Sequence, residues 1–108
     1  MSQRKQAEPT TLKQIKAQGI DPDQPYAVEF FLYFDEEWNA YVAATQLMNL
    51  QFQVNVNSLG GPEKWLCLAK KKLKPTSERL VEVSNFMEDV ADANSGNYDG
   101  WSTSILNN

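Results

Sequence analysis

Histidine is absent from this 108-residue chain, and cysteine occurs once, as Cys67. The first absence removes the side chain most used as general base and metal ligand near neutral pH. The second excludes an internal disulfide, and together they exclude a structural zinc site built within the chain. No apolar run approaches the roughly 20 residues of a membrane span. Met1–Glu8 is polar where a signal peptide would carry its apolar core, so a cytoplasmic protein is expected. Neither a phosphate-cradling glycine loop nor a nucleophile motif is present. The adjacent acids Glu36-Glu37 and Glu88-Asp89 would point apart on a helix and so cannot converge as acid and base. In Asp92–Asn97, a stretch polar enough for a calcium loop, the glycine falls one place early and Thr103 stands where the closing Glu belongs. No enzyme activity, metal or cofactor is expected.

What remains suits one core. Apolar residues make up 42% of the chain and aromatic residues 11%, enough to close a domain two layers thick without staples. The expected organisation is a disordered start at 1–9, a single domain with an N-terminal helix over 10–105, and a tail at 106–108. The net charge is −4, which repels phosphate backbones at long range. Two basic stretches stand against it: Arg4, Lys5, Lys13 and Lys16 near the start, and Lys70, Lys71, Lys72 and Lys74. The latter run either meets RNA phosphates or an acidic protein segment, or is a solvated strand end that deters edge pairing.

From Thr10 a short helix is expected, with Leu12, Ile15 and Lys16 on one face. Gly19 sits at its left-handed C′ position, and Ile20 folds back on Ile15. Asp21–Pro25 breaks regular structure. Tyr26–Phe34 alternates Val28, Phe30, Leu32 and Phe34 with Glu29, Phe31 and Tyr33, the pattern of a central strand. Asp35 is the expected N-cap of a helix whose stripe is Trp38, Tyr41, Val42, Thr45 and Met48, widened by Ala44 and Leu47; Trp38 is expected in the core. Phe52, Val54 and Val56 mark a one-sided edge strand. Trp65–Ala69 marks a buried strand from which the lysine run emerges into solvent. Thr76 caps a long helix carrying Leu80, Val83, Met87, Val90 and Ala91, to about Asn94. Tyr98–Ile105 is the last strand. The order β-α-β-β-α-β is the split βαβ arrangement. Right-handed crossovers then place both long helices on one face of a four-stranded antiparallel sheet and leave the other open.

Three strings taken together, Tyr26–Asp35 (YAVEFFLYFD), Trp65–Ala69 (WLCLA) followed by Pro75-Thr76, and Tyr98–Trp101 (YDGW), resemble the regulator of ribonuclease E activity B family. The likeness runs from about Thr10 to Ile105. It implies a ferredoxin-like α+β fold, in agreement with the element order. It also implies a protein inhibitor that binds endoribonuclease E or its scaffold region and so alters RNA decay.

Strand parity names the candidate docking residues. With Phe30 and Leu32 toward the helices, Glu29, Phe31 and Tyr33 point to the open face. With Leu66 and Leu68 also toward the helices, Trp65 and Cys67 join them there. Trp101 completes the patch unless Gly100 makes a bulge. Alternatively, the N-terminal helix folds across this face and covers it. Asp99, between Tyr98 and Trp101, either anchors a basic partner segment beside two rings or satisfies nearby backbone donors. Cys67 reads as an inert small hydrophobe. The partner expected is a protein, engaged by a monomer. An RNA-binding module using the open face is the alternative, because this is also the RRM layout. However, Trp65–Ala69 replaces the basic, paired-aromatic RNP1 string, so direct RNA binding is not expected. A small-molecule sensor would need a cleft between sheet and helices.

Overall fold

The structure, a computed structural model, describes residues 15–17, 19–21, 23–61 and 64–103. The expected disordered start, the first turns of the N-terminal helix and the end of the chain lie outside them. Chain order is β1 (Tyr26–Phe34), α1 (Glu37–Met48), β2 (Gln53–Ser58), β3 (Trp65–Leu73), α2 (Ser77–Ala93) and β4 (Gly96–Thr103). The sheet runs β2-β3-β1-β4, and every neighbouring pair is antiparallel. Hence β1 and β2 run parallel with β3 between them, and β3 and β4 run parallel with β1 between them. β1 pairs along its length with β3 and, on its other side, with β4, so it needs apolar side chains on at least one face.

Burial alternates along β1 as the period of two requires. Val28, Phe30, Leu32 and Phe34 are fully buried, while Glu29, Phe31 and Tyr33 are partly exposed. Both helices pack against the buried side. They also meet each other where the Asn94 side-chain amide donates to Gln46 Oε1 at 3.2 Å. Phe30 meets Phe52 edge-to-face, with ring centroids 6.0 Å apart.

The ends of the helices explain their lengths. At 15–20, the Gly19 amide donates to the Lys16 carbonyl and the Ile20 amide to the Ile15 carbonyl, with Gly19 at φ +68°. This is the expected C-terminal cap, and Ile15 and Ile20 join the core. The same pattern closes α1: Gln51 donates to Met48 and Phe52 to Leu47, with Gln51 at φ +74°. No glycine marks this second cap. Leu47 and Phe52, both buried, form its apolar contact. Thr76 caps α2 as expected, its hydroxyl oxygen accepting the Arg79 N–H at 3.1 Å.

Three expectations are corrected. Asp35 does not cap α1: Glu36 holds that position in extended backbone and makes no side-chain cap bond. The lysine run stays in the sheet as far as Lys72, because β3 continues to Leu73, although Lys72 and Lys74 are exposed as expected. Lys71 Nζ instead donates to the Leu50 carbonyl at 3.0 Å and lies 4.8 Å from the Phe52 ring centroid. Third, Trp38 is 74% exposed and outside the core. The inward face of α1 is Ala40, Ala43, Ala44 and Leu47, and the three alanines let the helix lie close to the sheet.

Candidate functional site

Register decides which side chains reach the open face. Directly paired residues of antiparallel strands share a face. Since Leu32 pairs with Cys67 and Phe30 with Ala69, the residues that join Phe31 and Tyr33 are Leu68 and Leu66. The expected parity of β3 is therefore reversed. Trp65 pairs with Phe34 and packs, half-buried, against the core, and Cys67 is fully buried on the helix side. A continuous apolar run carries no alternation, so sequence alone could not set its phase. The open face is thus built around Phe31, Tyr33, Leu66 and Leu68, all partly exposed. Gln53, Asn55 and Asn57 of β2 flank it by register. Glu29 and Lys70, opposite each other, form an ion pair at 3.7 Å.

At the β4 side the register shifts between Phe30 and Leu32: Phe30 pairs with Trp101, and Leu32 with Tyr98. Two residues, Asp99 and Gly100, therefore stand opposite the single residue Phe31, which is a β-bulge. Gly100 adopts φ +116°, a backbone that side-chain-bearing residues rarely take. The bulge has a positional consequence. Tyr98 and Trp101, three apart, would face opposite sides of a regular strand, but here both turn toward the helices. Trp101 is buried in the core, and the Tyr98 hydroxyl lies 2.9 Å from the Ser84 hydroxyl of α2. Of the candidate residues, Glu29, Phe31, Tyr33 and Asp99 come together on the open side; Trp65, Tyr98 and Trp101 do not. A shallow depression of about 400 Å³ is bordered by Phe31, Tyr33, Asp99, Gly100 and Trp101. None of the described residues buries it. Ile15 and Ile20, which end the N-terminal helix, belong to the cluster whose sheet members all face the helices.

Chemically this surface offers contact. It carries aromatic and aliphatic side chains ringed by amides and by charges of both signs, Glu29 and Asp99 against Lys70 and Lys72, with no converging nucleophile and base. Among the described residues, no three Cys, Asp or Glu side chains cluster to hold a metal, and no helix is long and apolar enough to cross a membrane.

Among the described residues, the two groups whose titration clearly shifts lie on the other side. Burial pushes the Cys67 thiol from 9.0 up to about 12. Burial also raises the Tyr98 hydroxyl from 10.0 to about 12; the charges of Glu88 and Asp99 add to this and the Ser84 hydrogen bond opposes it. Below the unfolded value of 9 both states keep the Cys67 proton, and stability is unaffected. Above it the unfolded chain ionises first, so stability falls as pH rises from 9.0 toward about 12. Denaturant midpoints should decline over that range, less steeply in Cys67→Ala; equal slopes would remove Cys67 as the cause. The native thiol should also resist alkylating reagents near neutral pH.

Residues 5–103 match the family model described as regulator of ribonuclease activity B. No curated protein matches the chain.

Proposed function

Because the chain belongs to the regulator of ribonuclease activity B family, we propose that it acts without chemistry of its own, docking on an endoribonuclease and restraining RNA cleavage. The partner is ribonuclease E or the scaffold region attached to it, and the protein acts as a monomer in the cytoplasm. The order of elements and of strands supports reading the fold as ferredoxin-like, with the face opposite the helices free for a partner. The observation that carries the proposal is the row Phe31, Tyr33, Leu66 and Leu68, uncovered by any described residue at the middle of the sheet. Rigid aromatic side chains on a preformed surface give large contact area at little entropic cost, the usual composition of interface hot spots. With Glu29 paired to Lys70 and Asp99 offset in charge by Lys72, the charges around that row are near balance, which gives a phosphate backbone no concentrated cationic track.

The test is cleavage of a defined RNA by ribonuclease E with increasing amounts of this protein, wild type and Phe31→Ala/Tyr33→Ala. The wild type should slow cleavage. The double variant should bind the enzyme about 30-fold more weakly, since hot-spot losses reach roughly 2 kcal/mol or more. Equal inhibition by both would move the docking surface elsewhere. Binding of the RNA itself, collapsing steeply with added salt, would replace the reading by direct RNA recognition.

A further inference from the structure

Helix α1 is apolar on two sides and uses only one. Ala40, Ala43, Ala44 and Leu47 face the sheet. Trp38, Tyr41, Thr45 and Met48, at steps of three and four, form a second stripe along the solvent side. Trp38 is 74% exposed, Tyr41 48% and Met48 51%. Scattered exposed apolar residues are ordinary, but three large ones aligned on one helix face, with only Thr45 between them, mark a contact surface.

Charge and size specify the occupant. Asp35, Glu36 and Glu37, all exposed, crowd the end of the stripe beside Trp38. No lysine or arginine occurs anywhere on α1. The surface is therefore apolar with one strongly anionic end, which repels nucleic acid and anionic lipid and attracts a cation. A guanidinium stacked on the open Trp38 ring would gain a cation–π contact and a carboxylate partner together. From Trp38 to Met48 the stripe is about 15 Å long, at ~1.5 Å per residue. With aromatic side chains offering up to ~250 Å² each, its exposed fractions amount to on the order of 400 Å². That is well short of the ~800 Å² per partner of a standard interface, so it suits a peptide segment better than a second copy of this chain.

We propose that the outer face of α1 is a docking surface for a basic amphipathic segment of another protein, with arginine at the Trp38 end and aliphatic side chains across Tyr41 and Met48. This surface is separate from the open sheet face and does not depend on the ribonuclease reading.

The test uses the full chain and no ribonuclease, so its outcome is independent of the sheet-face experiment. The probe is a fluorescein-labelled helical peptide of about 14 residues, roughly 21 Å long, with leucines on one face and arginines at one end. Its twin carries glutamates in place of the arginines. Expected are binding of the arginine peptide alone, amide shifts confined to residues 36–50, and a loss of about tenfold or more in Trp38→Ala and in Glu36→Lys/Glu37→Lys. Because Trp38 touches little of the core, Trp38→Ala should keep the wild-type denaturant midpoint. Undiminished binding by Trp38→Ala, amide shifts on 29–33 and 66–70 instead, or a dimer in sedimentation that Trp38→Ala dissolves, would each overturn the proposal.

Discussion

Gly96→Ala is expected to cost about 3 kcal/mol of stability, at the upper end of what overpacking a tight contact usually costs. Gly96 opens β4 directly opposite Phe34 of β1. A methyl group there would lie 2.6 Å from the Tyr33 carbonyl oxygen and would overlap the edge of the Phe34 ring. Neither neighbour has room to yield. The carbonyl belongs to the central strand, and Phe34 is buried between sheet and helices. β4 would have to lift from β1, breaking ladder bonds on the way. At roughly 4–8 °C per kcal/mol for a domain of this size, the thermal midpoint should fall by roughly 12–24 °C, followed by circular dichroism. A variant melting within about 4 °C of wild type would show that β4 is seated less closely than described.

Phe30→Ala and Phe31→Ala, one residue apart, should separate folding from function. Phe30 is fully buried and packed edge-on against Phe52. Truncating it leaves a cavity in a close-packed interior, with an expected loss of about 3–5 kcal/mol. That is a large share of the roughly 5–15 kcal/mol that holds a domain folded. Phe31 projects to the other side and is partly exposed, so its truncation should cost about 1 kcal/mol or less while weakening partner binding. Paired urea titrations and ribonuclease-binding measurements read both quantities. Equal stability losses for the two variants would mean that both faces of β1 are covered in solution, and the docking surface on the sheet would be lost with them.

The parts of this architecture visible in the sequence are those where one physical signal acted alone. β1 alternates cleanly, so its place between two partners and the inward set Val28, Phe30, Leu32 and Phe34 follow from periodicity. Thr76 and Gly19 announce helix ends through the chemistry that caps them. The failures share a cause, which is competition between signals. α1 has two apolar stripes, and the larger side chains point outward because close packing on the sheet selects the alanines; side-chain size misdirects any reading that assumes bulk goes inward. In β3 five apolar residues in a row fit either phase, and only pairing with β1 places Leu66 and Leu68 outward and Trp65 and Cys67 inward. The Asp99-Gly100 bulge adds one residue to β4 and brings Tyr98 and Trp101 to the same side. Glycine made that event conceivable but could not show which ring it moves. At Gln51 a left-handed cap forms without glycine, so no residue type gave it away.

The alanine seat beneath α1 separates two kinds of selection. Enlarging Ala40, Ala43 or Ala44 would prise the helix off the sheet, so those positions are constrained by folding alone. Trp38 touches little of the interior and Tyr41 and Met48 are half exposed, so their identities can drift or be redesigned at a smaller penalty in folding than the alanines beneath them. The helix therefore works as a fixed rail with an exchangeable outer strip. New binding preferences can be written on it one residue at a time while the scaffold below stays the same.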